Sequence, residues 1–227
     1  NNLRQKIVSI TVDSAADELL AGEMLRSSTL SGDATRLAPN LKLVIRDYTH
    51  ASRRLTSRPW GADLYLKKII TIMARGRCSM SRIIQNSPEN QRLFKAYVGA
   101  SLQAVSTNVA NMRSAGHRFE SMARPLGRSV VYIDAMVKTA VHLANSRGDE
   151  TGKRAKEWLM FLDDEALLQA SMLADASDQA LFLTRLIDNE NTDTALINQE
   201  VAEFMRTIQA LYVEGQCKTR FGYTKMM

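Results

Sequence analysis

The pattern of hydrophobic and polar positions changes its period once along the chain, near residue 55. Before that point, KIVSITV at 6–12 and LKLVIRDY at 41–48 are short apolar runs rich in β-branched residues, which predict two strands. A helix is predicted between them, behind a Ser14 cap, with an apolar stripe formed by Ala16, Leu19, Leu20 and Met24. The order indicates a βαβ-like unit whose first strand is covered on both faces.

After residue 55 the apolar positions recur at helical spacing, and no strand signal occurs between residues 60 and 215. The predicted helices run from Pro59 to Gly76, over 79–85, from Ser87 to about 114, over 118–146 with an interruption at Pro125 and Gly127, and over 156–162, 163–187 and 194–213. We therefore expect a mostly α protein with two domains, a short βαβ-like unit over 1–55 and an all-α domain over 56–227.

Composition narrows the class of protein. The chain has 227 residues, of which 45% are hydrophobic, which is enough for a substantial core. No apolar run approaches the roughly 20 residues that span a bilayer, and no cleavable leader is recognisable. We expect a soluble, unsecreted protein without a membrane partner. Because the chain starts with Asn1 and reaches a predicted strand by residue 6, we also expect it to be a fragment.

The charge is unevenly distributed along the chain. Residues 42–82 contain ten Lys or Arg and two Asp, a local charge of +8, whereas residues 148–227 contain fourteen acids and eight bases, a local charge of −6. A polyanion or an acidic partner is one interpretation of the basic segment. Attraction between the two segments is a second, and a solvated helix face is the simplest.

Few residues are candidates for chemistry. The chain contains no glycine-rich phosphate loop, nucleophile elbow, HExxH or paired CxxC motif. Cys78 and Cys217 predict neither a disulfide nor a zinc site, and His117 and His142 belong to stretches with helical periodicity. Asp13 is the most interesting carboxylate, because it ends a predicted strand where open sheets place reactive groups. Its other interpretation is a helix cap.

Several motifs resemble the hAT superfamily of DNA transposases. SITVDSAAD is similar to the strand that ends in the second acid of that family's metal-binding triad, which corresponds to Asp13. RDYTH takes the place of a CxxH motif, with Asp47 and His50 at its two positions. HRFESMARPL resembles the context of an Arg-Trp pair, here Arg118 and Phe119, and the LADASDQALFL stretch is similar to late helices of the family.

The resemblance implies an RNase H-like core that is interrupted by a large all-α insertion domain. It further implies that Asp13 binds Mg²⁺ or Mn²⁺ for DNA cleavage and strand transfer, and that His50 is catalytic and orients the scissile group. DNA is then the expected partner, contacted by Arg53, Arg54, Arg58, Arg118 and Phe119. A nuclear location and a homo-oligomer in the full-length protein are also implied.

This sequence departs from the family pattern in three respects. Asp47 stands where the family has Cys, Phe119 stands where it has Trp, and the other two acids of the triad are not among these residues. Whether catalysis survives is therefore open, and a domesticated derivative is included in the hypothesis. The alternatives are a non-catalytic helical interaction module with a basic nucleic-acid-binding face, and a helical nucleic-acid-binding domain with no catalytic ancestry.

Overall fold

The computed structural model describes residues 6–12, 16–27, 38–46, 58–100, 120–189, 191–216 and 222–226. The described chain is mostly helical, with one small two-stranded parallel sheet. It divides into two compact units, Asn1–Leu55 and Thr56–Met227, at the position where the hydrophobic period changes.

The first unit is a βαβ arrangement. Strand β1 (Ser9–Val12) is followed by helix α1 (Ala16–Ser27) and strand β2 (Leu43–Arg46). The strands pair in parallel, from Ser9 opposite Leu43 to Val12 opposite Arg46. The prediction that the two early strands are neighbours is therefore confirmed, and their parallel direction is a new observation.

The prediction that the first strand is covered on both faces is wrong. Burial alternates along β1, with Ile10 and Val12 half-buried and Ser9 and Thr11 exposed. Helix α1 covers that half-buried face through Gly22, where an added Cβ would lie 2.7 Å from Val44 Cγ1. Glycine therefore allows the close approach of helix and sheet. The prediction that the apolar stripe of α1 faces the sheet is also wrong. Leu20 and Met24 belong to that stripe, but they point away from the sheet and are exposed.

The second unit contains helices only among its described residues. The helices are α2 (Leu64–Ile70), α3 (Met80–Gln85), α4 (Pro88–Gly99), α5 (Glu120–Val131), α6 (Ile133–Ser146), α7 (Glu150–Phe161), α8 (Asp164–Ile187), α9 (Thr194–Tyr212) and α10 (Gly222–Met226). Local capping explains most of their starts. Six side chains accept a hydrogen bond from a backbone N–H in the first turn of the helix that follows: Asp63, Ser79, Ser87, Asp149, Asp163 and Asp193.

The helix predicted from Pro59 to Gly76 is divided. Residues 58–62 are helical, and α2 then begins afresh because Asp63 Oδ1 accepts a hydrogen bond from Leu66 N at 2.8 Å. A π-helical turn, Thr71–Arg75, follows α2. Gly76 ends the helical segment, as predicted.

Two further helix boundaries differ from the predictions. Helix α4 ends at Gly99 rather than near residue 114. The 118–146 segment breaks at Tyr132 rather than at Pro125 and Gly127, both of which lie inside α5. Proline inside a helix costs about 3 kcal/mol, and we infer that packing of α5 against α8, with Leu126 and Val130 buried, outweighs this cost.

Helix α8 is the centre of the helical unit and contacts α2, α5, α9 and α10. Alanine and serine occupy much of its buried surface, and small side chains allow neighbouring helices to approach closely. Its buried hydroxyls are satisfied locally, since Ser177 and Thr184 each donate to the carbonyl oxygen four residues earlier. Trp158 on α7 is 1% exposed and belongs to the hydrophobic core of this unit.

A buried carboxylate attaches the short helix α10 to α8. Asp175 is 4% exposed and accepts hydrogen bonds from the backbone N–H of Tyr223 and Thr224, each at 2.9 Å, and from the Thr224 hydroxyl. The Tyr223 ring lies over Gly127, where an added Cβ would come within 2.5 Å of the phenol oxygen. Gly127 is therefore a packing glycine rather than a helix breaker.

Asp175→Asn is expected to lower the free energy of unfolding by about 1–3 kcal/mol. The substitution replaces one carboxylate oxygen, which accepts hydrogen bonds, by an NH₂ group that faces the N–H donors of α10. Urea denaturation measures this loss, and amide exchange at residues 222–226 should accelerate with it. An unchanged unfolding midpoint and unchanged exchange would show that α10 docks without this carboxylate.

Asp178→Asn is the matched control, one helical turn further along α8. Burial raises the pKa of Asp178, and the Tyr223 hydroxyl, which donates to it, opposes this rise. A raised folded-state pKa stabilises the protein below the ordinary pKa of the group, and this contribution is lost as the pH rises through the raised value. At neutral pH the neutral asparagine is therefore expected to preserve or increase stability.

Candidate functional site: a strand edge and a basic pocket

Most of the residues that the sequence singles out lie outside the described part of the chain. These are Asp13, Asp47, His50, Arg53, Arg54, Arg118 and Phe119. Arg58 is described and is an exposed residue of the helical segment 58–62. Its side chain is thus accessible to a polyanion, as the prediction requires.

The two described strands end at the same edge of the sheet. Because β1 and β2 are parallel and in register, Val12 and Arg46 are paired at the last position of both strands. The next residues in the sequence are Asp13 and Asp47. Carboxyl ends of neighbouring parallel strands share one edge of a sheet, which is where open α/β sheets bind their ligands.

No metal site is formed by the residues that the structure describes. They contain no group of three or more His, Cys, Asp or Glu side chains that could hold an ion. The predicted ligand, Asp13, is not among them. Mg²⁺ or Mn²⁺ therefore remains what the resemblance implies for Asp13.

A basic pocket in the helical unit is a feature that the sequence does not predict. It is a cavity of about 120 Å³ between the α3–α4 turn and the α6–α7 corner. Its lining contains four cationic side chains and no acid: Arg77, Arg82, Ile83, Asn86, Ser87, Asn90, Arg147, Thr151 and Arg154. Four guanidinium groups around a polar cavity favour an anion.

Acidic residues outside the lining pair with two of the four arginines. Arg147 pairs with Glu89 and lies 3.8 Å from Asp149, and Arg154 Nε lies 3.3 Å from Glu150. Arg77 and Arg82 are exposed and form no ion pair within the described ranges. These two arginines therefore supply the uncompensated charge.

Asn90 provides the buried polar group of the pocket. It is 2% exposed, and its Nδ2 donates to the Ile83 carbonyl oxygen at 3.1 Å. A carbonyl only accepts, so this bond fixes the orientation of the amide. Asn90 Oδ1 is then left buried without a donor among the described residues.

Two other reactive side chains have ordinary environments. Cys78 Sγ lies 3.0 Å from Glu157 Oε2 and donates to it, and burial together with this carboxylate raises the pKa of the thiol to about 11. Cys78 is thus protonated at neutral pH and a poor nucleophile. His142 is exposed on α6, with its Nδ1 3.5 Å from the Tyr97 hydroxyl. His117 and Cys217 lie outside the described ranges.

The sequence contains only part of the signal for the pocket. Arg77 and Arg82 belong to the basic segment 42–82, but Arg147 lies beside the acidic segment and Arg154 within it. Contact between α3 and α7 brings the two pairs together. A charge count along the chain could not have associated them.

No protein-family model, curated protein or solved structure matches this chain. Within its described part, no helix is both long and apolar enough to cross a membrane.

Proposed function

We propose that this chain is part of a DNA-cleaving protein of the hAT transposase kind, or of a domesticated derivative. In this proposal residues 1–55 contribute to an RNase H-like sheet, and residues 56–227 are its helical insertion domain. The supporting observation is the in-register parallel pairing of β1 and β2, since the strands end together at Val12 and Arg46 and the next residues in the sequence are Asp13 and Asp47.

The exposed apolar surface of the first unit supports the same proposal. Val8 and Leu43 beside the sheet are 51% and 56% exposed, and Leu20 and Met24 on α1 are 61% and 54% exposed. An isolated two-stranded sheet is marginally stable, and this much exposed apolar surface on a small unit favours its being covered by another element. Other elements of a larger RNase H-like fold would cover these residues.

The residues have distinct roles in the proposed reaction. A divalent ion held by Asp13 would supply the activated nucleophile and stabilise the leaving oxygen. His50 would orient the scissile group. Arg53, Arg54 and Arg58 would pair with backbone phosphates, which gives binding that weakens as salt increases. Arg118 and Phe119 would brace an unpaired nucleotide by stacking.

A cleavage assay tests the proposal. The protein, expressed from its complete coding sequence, is incubated with end-labelled duplex DNA and Mg²⁺, Mn²⁺ or EDTA. We expect strand cleavage with either metal ion and none with EDTA. Absence of cleavage under all three conditions would contradict the catalytic role.

The second candidate is a non-catalytic helical module with a nucleic-acid-binding face, and the basic pocket favours it. In the same assay this candidate predicts salt-sensitive DNA binding without cleavage. The presence or absence of metal-dependent cleavage therefore separates the two candidates.

A further inference from the structure

We propose that Arg77 and Arg82 of the basic pocket bind a backbone phosphate of a nucleic acid without reading its base sequence. The inference rests on the proposed function, because both candidates described there bind nucleic acid. It adds to them a contact on the helical unit, outside the residues that the sequence predicts to bind DNA. The pocket uses neither Asp13 nor the strand edge, so this contact can fail while the cleavage proposal stands.

Two of the four arginines of the pocket are available to an incoming anion. Arg77 and Arg82 are exposed, line the same cavity and form no ion pair among the residues that the structure describes. Guanidinium groups present paired N–H donors that match the oxygens of a phosphate. Because both groups line one cavity, we expect them to neutralise one phosphate together.

The other two arginines are held by acids that face solvent. The side chain of Arg147 is 28% exposed, whereas that of its partner Glu89 is 79% exposed. The corresponding values are 36% for Arg154 and 66% for Glu150. Charges exposed to this extent are screened by water and salt. The acids therefore position Arg147 and Arg154 without placing a negative charge among the lining residues.

The shape and lining of the pocket indicate which part of a nucleic acid it binds. The base edges of a duplex lie inside its grooves, where a protruding helix or strand reaches them, whereas the phosphates lie on the outside. A recess in the protein surface therefore receives a phosphate rather than a base edge. The lining also contains no aromatic side chain on which an unpaired base could stack. Phosphate contacts carry no sequence information, so binding here should not depend on the base sequence.

The salt dependence of DNA binding tests this contact. Two DNA duplexes of equal length and unrelated sequence are titrated with the protein in EDTA, and binding is followed by fluorescence anisotropy over a range of NaCl concentrations. Each neutralised phosphate contributes about 0.9 to the slope of log K against log salt concentration. Arg77→Ala combined with Arg82→Ala is therefore expected to reduce the magnitude of this slope by about 0.9 on both duplexes.

Arg185→Ala combined with Arg206→Ala is the matched control. It removes two exposed arginines that lie outside the lining, and it changes the net charge by the same amount. The control should leave the slope unchanged. Because Arg77 and Arg82 are exposed, the pocket variant is expected to fold, and its circular dichroism melt checks this. If the double variant does not fold, Arg77→Ala and Arg82→Ala are measured singly, and each should reduce the slope.

Four results would overturn the assignment. These are no DNA binding by the wild type, equal slopes in the wild type and the pocket variant, equal reductions in the pocket variant and the control, and a reduction on only one duplex. Equal slopes together with metal-dependent cleavage would reject the pocket contact alone, whereas loss of both DNA binding and cleavage would also reject the proposed function. Equal slopes with binding of inorganic phosphate that requires Arg77 and Arg82, measured by calorimetry, would assign the pocket to a small phosphate ligand instead.

Discussion

Replacing Asp13 by asparagine is expected to abolish Mg²⁺-dependent DNA cleavage while leaving duplex binding unchanged. Asparagine has nearly the same shape as aspartate but no negative charge, and hard divalent cations bind carboxylate oxygens. Even residues that only support a metal ligand contribute about 10–100-fold to affinity, so loss of a ligand should reduce cleavage by at least about a hundredfold. DNA binding should persist, because in this proposal the arginines bind the phosphates.

Asp17→Asn is the matched control for Asp13→Asn. Asp17 is exposed in the first turn of α1, and its replacement changes the net charge by the same amount. Cleavage of the labelled duplex and fluorescence anisotropy at two salt concentrations are measured for both variants. Cleavage that survives in Asp13→Asn, or is lost equally in Asp17→Asn, would exclude Asp13 as a specific ligand.

Trp158→Ala is expected to lower the free energy of unfolding by about 3–5 kcal/mol. Trp158 is 1% exposed in the buried cluster that also contains Met80 and Leu143, so truncation leaves a large cavity. Stabilities of domains this size are about 5–15 kcal/mol, and the loss is therefore a substantial part of the total. Chemical denaturation followed by circular dichroism measures it.

Two control substitutions on α7 test whether the loss of stability in Trp158→Ala comes from the lost packing of the ring. Met160→Ala, at a position that is 89% exposed, should change stability by no more than about 0.5 kcal/mol. Trp158→Phe should be much milder than Trp158→Ala, because the indole Nε1 has no hydrogen-bond partner in the described structure to lose. A Trp158→Ala loss below about 1 kcal/mol would contradict the assignment of Trp158 as a core residue.

Local signals explain which parts of the fold could be predicted. Ser87 followed by Pro88 marks the start of α4, and the long periodic segment after Asp163 becomes α8. A helix cap acts on the first turn of its own helix, and an apolar stripe repeats at helical spacing. Both signals therefore lie within a short stretch of sequence and can be recognised there.

Tertiary contacts explain the failures. The local sequence around Gly127 predicts an interruption of the helix. Gly127 nevertheless lies inside α5, where Tyr223, almost a hundred residues later in the sequence, packs over it. Leu20 and Met24 form a reasonable helical stripe, yet α1 turns Gly22 to the sheet instead. In both cases a glycine is used for close approach, which its local sequence does not reveal.

The two candidate sites likewise differ in whether a local sequence pattern indicates them. Asp13 can be recognised from its sequence context, because a carboxylate directly after a β-branched strand is a local pattern. The basic pocket depends on contact between distant helices, which has no sequence signature.

The proposed function depends most directly on β1 and β2 being parallel neighbours that end at one edge. Engineered disulfides test this, because the Cα atoms of bridged cysteines usually lie about 4.4–6.8 Å apart and neighbouring strands are about 4.8 Å apart. With Cys78 and Cys217 replaced by serine, Ser9→Cys is combined with either Leu43→Cys or Arg46→Cys. The pair is then oxidised, and the bridge is identified by mass spectrometry.

We expect the Ser9–Leu43 pair to cross-link, since these positions are partners in the parallel register. The Ser9–Arg46 pair should stay reduced, because the positions are then offset by about 10 Å along the strands. Cross-linking of the second pair but not the first would indicate antiparallel strands. If neither pair cross-links, the two strands are not neighbours. Either result would contradict a shared edge and the metal-dependent site proposed there.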